Sequence, residues 1–446
     1  MTFRWTDLLA TAALAVGFAA VGEAILRRRS RDLVSGNESF LVGMAVCGAG
    51  LLPLSLLFPR SALRVELALM GACLLLALFR RARGSRSPGA PLPRAGERDF
   101  VWLALVAAVV VVAADFTAVD LRYSFLWDGF QIWASKAQFL YDRGALDRLW
   151  YPGDTYELRY VPYPPLVPLY EALLQVVRGQ FDFDSFKPVF LPFYYSLLVA
   201  TYGAARAVLP ARLAAAATLM LALLPLTSTG TAAGAYADMP QAAFVAGVVA
   251  AALRRTDSHG ALPWLIGGLT VVKPEGTIIA VIAGAAVAYA WWIEKRPVHR
   301  LPWGRIAIVA VFLALRLGYV RWASVSDSVY VVTGESLMLA ARRIPHVAHL
   351  CLVKMLSPRR WGLLWPAFGL AALVLGRRGS AAEASLAVAT AVAAALFAVI
   401  FLFTTWPVEL HIDQAYPRLL AQISPAAVVA ALSGWRCARR ADVEAA

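Results

Sequence analysis

The chain has 446 residues, of which 60% are hydrophobic and only 16% are charged. Soluble domains usually contain about 45–50% apolar residues, so this composition excludes a water-soluble protein. The formal net charge of +14 comes from arginines in short clusters between apolar runs. This pattern is typical of the ends of membrane spans and not of a nucleic-acid-binding face, so no nucleic-acid partner is predicted.

Apolar runs of the length of a membrane span recur along the whole chain. A helix needs about 20 such residues to cross a hydrocarbon core of about 30 Å. The sequence predicts spans at 8–26, 39–58, 63–79, 100–119, 184–205, 213–229, 236–253, 304–320, 360–376, 382–404 and 418–434. Two shorter runs, 260–272 and 276–293, predict a hairpin of helices. The predicted fold is therefore an all-α, polytopic transmembrane helical bundle of about 11–13 spans.

Basic clusters set the predicted orientation of these spans. If every run crosses, one side of the membrane receives the clusters at 27–31, 80–98, 254–255, 295–305, 377–378 and 436–440. That side is predicted to be cytoplasmic. Residues 338–360 conflict with this topology, because they would lie outside and still carry Arg342, Arg343, Lys354, Arg359 and Arg360. Either the span count is wrong there or these cations serve an anionic ligand.

Composition also divides the chain into parts. The Arg-, Ser-, Pro- and Gly-rich segment 80–99 predicts a cytoplasmic basic linker, which separates accessory spans at 1–79 from a larger module at 100–434. Residues 435–446 are predicted to be a cytoplasmic tail. Within the module, the one long polar stretch, 120–183, predicts a large extracytoplasmic loop.

Two helices are predicted to lie on the membrane surface within this loop. In Gly129–Asp142 the apolar residues fall largely on one helical face, with Lys136 elsewhere, which is typical of an interfacial amphipathic helix. A second such helix is predicted after Tyr163-Pro164-Pro165, because the prolines favour a helix start and Leu166–Val177 is too short to span.

Ionisable residues at the membrane edge are costly and are therefore candidates for function. Asp128 lies between a span and the first interfacial helix, and Asp238 lies at the head of the span 236–253. Helix capping is the alternative role for each carboxylate. Lys273 and Glu275 interrupt the predicted hairpin, where they form either a salt-bridged turn or a site for a phosphate.

A second polar segment joins the last two predicted spans. It supplies Glu409, His411, Asp413 and Arg418 at the outer surface. Arg418 begins an otherwise apolar helix, where it is either the partner of an anion or a side chain that reaches the interface. In the topology set by the basic clusters, all these polar groups lie on the same side of the membrane.

The order of these motifs resembles the GT-C superfamily of membrane glycosyltransferases. The motifs are Trp127-Asp128, Trp133-x-x-Lys136-Ala137, Tyr163-Pro164-Pro165-Leu166, Tyr236-Ala237-Asp238-x-Pro240, Lys273-Pro274-Glu275-Gly276, and Arg418-Leu419-Leu420 with Pro425. The resemblance covers about residues 100–434 and is greatest to bacterial relatives of protein O-mannosyltransferases and of the aminoarabinose transferase that modifies lipid A.

The resemblance implies roles for two acids and a location. Asp128 matches the catalytic carboxylate of the family's first extracytoplasmic loop, and Asp238 resembles an acid at the head of a later span. The family pattern also implies the bacterial inner membrane, with the active site facing the periplasm. Two departures leave subfamily and acceptor open: Gly129 stands where mannosyltransferases carry a second acid, and Pro274 where many relatives carry Asn.

The expected reaction is inverting transfer of a sugar from a polyprenyl-phosphate donor to an extracytoplasmic glycan, lipid or protein. Asp128 is the expected general base, and Asp238 is expected to orient acceptor or sugar. The predicted substrate-binding residues are Lys273, Glu275, Arg418, His411, Lys136 and Tyr163. No required cofactor is predicted, and a divalent metal ion bound by His411 with Glu409 or Glu275 is the alternative.

Two other classes of protein share the many spans. A ligase or polymerase of lipid-linked glycans would depend on Arg342, Arg343 and His411 in place of Asp128. A flippase or transporter of lipid-linked sugars would show two halves with matching broken helices, and the sequence shows no such symmetry.

Overall fold

The computed structural model describes residues 5–26, 33–83, 100–120, 128–147, 163–224, 235–254, 260–293, 303–323 and 333–445. Most of the predicted linker and parts of the predicted outer loop lie outside these residues. Within the described part of the chain, every element of secondary structure is helical.

The described residues form seventeen α-helices. They are α1 Trp5–Leu26, α2 Leu33–Leu57, α3 Ala62–Arg83, α4 Phe100–Asp120, α5 Ser135–Arg143, α6 Leu166–Arg178, α7 Phe190–Val208, α8 Ala211–Ala222, α9 Asp238–Leu253, α10 Leu262–Leu269, α11 Glu275–Ile293, α12 Trp303–Ala323, α13 Gly334–Met355, α14 Pro358–Trp361, α15 Leu364–Arg378, α16 Ala381–Val399 and α17 Val408–Ala445. A π-helical turn, Gly129–Ala134, leads directly into α5.

Eight helical segments of the described chain are long and apolar enough to cross a bilayer, so the protein is an integral membrane protein. They are Trp5–Leu26, Leu33–Leu57, Ala62–Arg80, Lys187–Val208, Glu275–Ile293, Trp303–Ala323, Ala381–Phe403 and Val408–Arg440. Helices α8 and α9 are apolar but shorter, with 12 and 16 residues. Eight spans are thereby confirmed by length and composition, and the larger number stays a prediction.

Helices α9 and α17 form the centre of the bundle. Nearly every side chain of α9 is buried, because it is apolar on all faces and packs against α7, α10 and α17. Helix α17 in turn packs against α13, α15 and α16. Residues at the heads of these two helices are therefore held by rigid neighbours.

The N-terminal helices pack into the same core. Helix α2 contacts α6, α7 and α10 as well as α1. The crossing of α1 and α2 is close enough that a Cβ on Gly43 would lie 1.8 Å from the carbonyl oxygen of Phe18, so only glycine permits it. The division into an accessory part and a catalytic module stays a prediction.

Two predictions about the late part of the chain are corrected. Residues from Val408 onward are helical, so α17 begins before the predicted start at Arg418. Its charged first turns look like a loop in sequence, but they form ion pairs with α13 and remain helical. The basic region 338–360 falls largely on α13, an amphipathic helix outside the eight candidate spans, so its cations do not require another crossing.

The loop helices form where the prolines and apolar faces predict them, but they are more enclosed than expected. Helix α6 begins directly after Pro165, and its residues Leu166–Gln175 are buried against α1, α2, α3 and α5. Lys136 is only 3% exposed and does not lie on a polar outer face. Lys136 can be buried because its ammonium group donates a hydrogen bond to the carbonyl oxygen of Tyr163.

Candidate functional site

A buried carboxylate at the head of α9 gathers donors from distant parts of the chain. The side chain of Asp238 is fully buried. Its Oδ1 accepts from Lys273 Nζ at 2.8 Å and from Gln422 Nε2 at 2.7 Å. Its Oδ2 accepts from Arg418 through Nε at 3.0 Å and Nη2 at 2.9 Å. Two cations and an amide therefore compensate the burial of this charge.

Lys273 is positioned by the tight turn between α10 and α11. A Cβ on Gly276 would lie 1.8 Å from the carbonyl oxygen of Leu269, so the turn closes only with glycine at this position. Within the turn, Lys273 Nζ lies 3.6 Å from Glu275 Oε1. The structure thus contains the salt-bridged turn, and the alternative, a site for a phosphate, stays a prediction.

Arg418 links Asp238 to Asp128. Its Nη1 lies 2.7 Å from Asp128 Oδ2, and both side chains are 22% exposed. The carboxylate of Asp128 makes no capping hydrogen bond to the following π-helical turn, and the N-cap of α9 is Ala237. The capping alternative is therefore wrong for both acids. We call Asp128, Asp238, Lys273, Glu275 and Arg418 the ion cluster.

Tyr236 closes one side of the ion cluster. Its ring centroid lies 4.1 Å from the guanidinium carbon of Arg418, a cation–π contact. Burial raises the pKa of the Tyr236 hydroxyl, and the neighbouring charge of Asp128 raises it further. Tyr236 thus remains a neutral hydroxyl beside the partly exposed carboxylate.

Lys136 and Tyr163 form a second polar group. The carbonyl oxygen of Tyr163 accepts from Lys136 Nζ at 3.0 Å and from Tyr319 Oη at 3.2 Å. Arg316 lies over the Tyr319 ring at 5.8 Å. Burial lowers the pKa of Lys136, and the nearby charge of Arg316 lowers it further. Tyr319 and Arg316 thus bring α12 to this second polar group.

Sequence reasoning missed two residues at this site. Arg316 lies inside the apolar helix α12 and is only 7% exposed, so the rule that intramembrane charges are functional candidates would have found it. Gln422 follows Arg418 by four positions, the spacing that places two side chains on one helical face. This spacing does not by itself indicate that Gln422 belongs to the site, because it does not show that Asp238 lies beside the same helical face.

His411 belongs to a different group of side chains. Its Nδ1 lies 2.6 Å from Thr404 Oγ1, and its ring contacts those of Phe401 and Trp406. Glu409 pairs instead with His346, at 2.7 Å. The partner shown for Glu409 is thus a histidine other than His411. Within the described residues, no group of three or more His, Cys, Asp or Glu could hold a metal ion.

An apolar cleft of about 570 Å³ begins below the ion cluster. Helices α9, α10, α11, α12, α16 and α17 line it, almost entirely with aliphatic side chains. Val245 and Ile423 stand at its near end, about 10 Å along α9 from Asp238 and about 8 Å along α17 from Arg418. Its far end reaches Trp291 and Arg305. The lining of the cleft therefore begins about 8–10 Å from the ion cluster along the two helices that they share.

No protein-family model, curated protein or solved structure matches this chain. The motifs that resemble the GT-C superfamily therefore stand without a matching relative. The class of protein that fold and site define is an integral membrane protein with an ion cluster at the head of an apolar cleft.

Proposed function

We propose that the protein is a membrane glycosyltransferase of the GT-C type, which moves a sugar from a polyprenyl-phosphate donor to an extracytoplasmic glycan, lipid or protein. In this proposal the chain lies in a bacterial inner membrane with the ion cluster facing the periplasm. The observation that carries the proposal is the proximity of two cations and a partly exposed carboxylate to an apolar cleft, whose lining begins about 8–10 Å away along α9 and α17.

The donor matches this arrangement in chemistry. A polyprenyl chain is aliphatic and suits the cleft between α9, α11 and α16, whereas its phosphate suits Lys273 and Arg418. Asp238 is buried and already accepts four hydrogen bonds, so we assign it to positioning these two cations and not to contact with the sugar. The ion cluster is thereby pre-organised for an anionic leaving group.

The reaction follows from these positions. Asp128 takes the proton of the acceptor hydroxyl while the acceptor oxygen bonds to the anomeric carbon of the donor sugar. The bond from that carbon to the phosphate oxygen breaks with inversion, and the polyprenyl phosphate leaves with the electron pair. Lys273 and Arg418 stabilise the charge that develops on the phosphate.

One observation favours the ligase or polymerase alternative. Arg343 Nη1 donates to the carbonyl oxygen of Thr404 at 2.9 Å, and the Thr404 hydroxyl contacts His411. Arg343 and His411, two of the three residues on which a ligase or polymerase would depend, therefore both contact Thr404. Loss of transfer in Arg343→Gln or His411→Gln, combined with full activity in Asp128→Asn, would favour this alternative.

The first test is Asp128→Asn in purified protein with a panel of polyprenyl-phosphate sugars. Loss of a general base should lower turnover by about 10²–10⁴-fold while the thermal midpoint stays close to that of wild type. Asp182→Asn is the matched control, since Asp182 also pairs with an arginine and is 34% exposed. Full turnover by Asp128→Asn would remove the proposed mechanism.

The second test fills the apolar cleft. Gly284 lines it, and a Cβ at this position would meet no atom within 4 Å, so Gly284→Trp is expected to fold and to obstruct the cleft. Gly369→Trp on α15 is the control, because its Cβ also meets nothing and it does not line the cleft. Only Gly284→Trp should raise the KM for the lipid donor, by about tenfold or more.

A further inference from the structure

Two cations pair with one carboxylate where α13, α14 and α17 meet, and a third cation is next to one of them in the chain. Asp413 Oδ1 lies 2.5 Å from Lys354 Nζ and 3.1 Å from Arg360 Nη2. Arg359, the neighbour of Arg360, is exposed. Within the described residues Asp413 is the only carboxylate paired with these cations, so the group carries an excess of positive charge. We call Lys354, Arg359, Arg360 and Asp413 the basic platform.

The backbone that carries the basic platform is held in place. The indole of Trp361 is buried and donates from Nε1 to the carbonyl oxygen of Lys354 at 3.2 Å. Its ring packs edge-on against Trp365, with centroids 5.9 Å apart. Gly362 adopts a φ of 56°, which lets the chain reverse between α14 and α15. The backbone that carries the cations is therefore fixed before an anion binds.

Apolar side chains surround the basic platform on the surface. Leu352, Val353 and Leu356 are between 43% and 53% exposed, and Leu363 is 75% exposed. Adjacent basic and exposed aliphatic residues are typical of segments that lie at a membrane interface, where the cations meet headgroups and the aliphatic side chains meet acyl chains. A small soluble anion would not account for the aliphatic rim.

We propose that the basic platform binds the phosphate-bearing headgroup of an anionic membrane lipid, on the membrane face where α17 begins. The phosphate accepts hydrogen bonds from Arg359, Arg360 and Lys354, while the acyl chains lie along Leu352, Leu356 and Leu363. Asp413 keeps two of the cations converged in the absence of lipid. The site is independent of the proposed transfer reaction and does not require it.

The test uses the full chain in detergent, titrated with dioleoylphosphatidylglycerol, with thermal unfolding as the readout. Dioleoylphosphatidylcholine is the neutral comparison lipid, and glycerol phosphate is the soluble phosphate. A cation near an anionic surface contributes about fivefold in affinity, so Arg359→Gln/Arg360→Gln should bind the anionic lipid about 25-fold more weakly. Arg377→Gln/Arg378→Gln is the matched control, since it removes two arginines at the other end of α15.

A rise in the thermal midpoint with phosphatidylglycerol in wild type and in the control, together with its loss in the double variant, supports the site. Equal midpoint shifts in wild type, the control and the double variant, or no shift in wild type, would overturn the proposed lipid site. An equal shift with glycerol phosphate would overturn the lipid assignment. Arg359→Glu reverses an exposed charge without breaking the Asp413 pairs, and it must also lose binding even if the double variant fails to fold.

Discussion

Two carboxylates in this protein are each shared by one lysine and one arginine, yet their surroundings differ completely. Asp238 pairs with Lys273 and Arg418, and its side chain is fully buried. Asp413 pairs with Lys354 and Arg360, and half of its side chain is exposed. The residue types in an ion pair therefore do not determine how much the pair contributes to stability. Burial strengthens the attraction between the charges and also raises the cost of leaving one of them unpaired.

The largest effect is expected for Asp238→Asn. The substitution keeps the shape of the side chain but leaves Lys273 and Arg418 without the buried charge that compensates them. Removing one partner of a buried pair costs about 3–5 kcal/mol, so the variant should unfold far more easily than wild type in a denaturant titration. A loss below about 1 kcal/mol would mean that burial does not determine the value of this cluster.

A smaller effect is expected for Gln422→Met, which removes one of the hydrogen bonds to Asp238 at nearly constant volume. A hydrogen bond to a charged group contributes about 1.5–3 kcal/mol, which is the expected loss of stability. Ser424→Ala is the matched control, because the Ser424 hydroxyl is buried nearby on α17 and donates to the neutral carbonyl of Ala421. The control should lose only about 0.5–1.5 kcal/mol, and equal losses would contradict the argument.

The smallest effect is expected for Asp413→Asn. Exposed ion pairs contribute about 0.2–1 kcal/mol, and salt screens them. The difference from wild type should therefore disappear in about 1 M salt, where the screening length is about 3 Å. The loss caused by Asp238→Asn should persist in the same salt. A salt-independent loss at Asp413 would mean that the exposed pair behaves like the buried one.

Much of the fold could be predicted from the sequence, since long apolar runs and basic clusters are local signals. The helix start after Pro165 and the turn at Lys273 were predicted for the same reason. The early start of α17 was not, because Glu409 and Asp413 make this segment polar, and their partners on α13 are distant in sequence. Local polarity does not distinguish such a helix from a loop.

The ion cluster could be predicted only in part. The expectation that Asp128, Asp238, Lys273 and Arg418 lie on one side came from topology alone, whereas their pairing depends on contacts across up to 290 positions, the separation of Asp128 and Arg418. Burial of Lys136 depends on the carbonyl of Tyr163, which no pattern in α5 indicates. Sequence reasoning could have found Arg316, since an arginine in the middle of an apolar span is itself a signal of function.

The wide separation of Asp238 from its donors has a consequence for synthesis. Arg418 and Gln422 follow Asp238 by 180 and 184 positions, so they leave the ribosome long after α9 has formed. At about 5–20 residues per second the delay is about 10–40 s. Throughout that interval the acid at the head of α9 lacks two of its three donor residues and must stay hydrated or protonated. The arrival of α17 therefore completes the bundle and at the same moment allows that acid to be sealed from water.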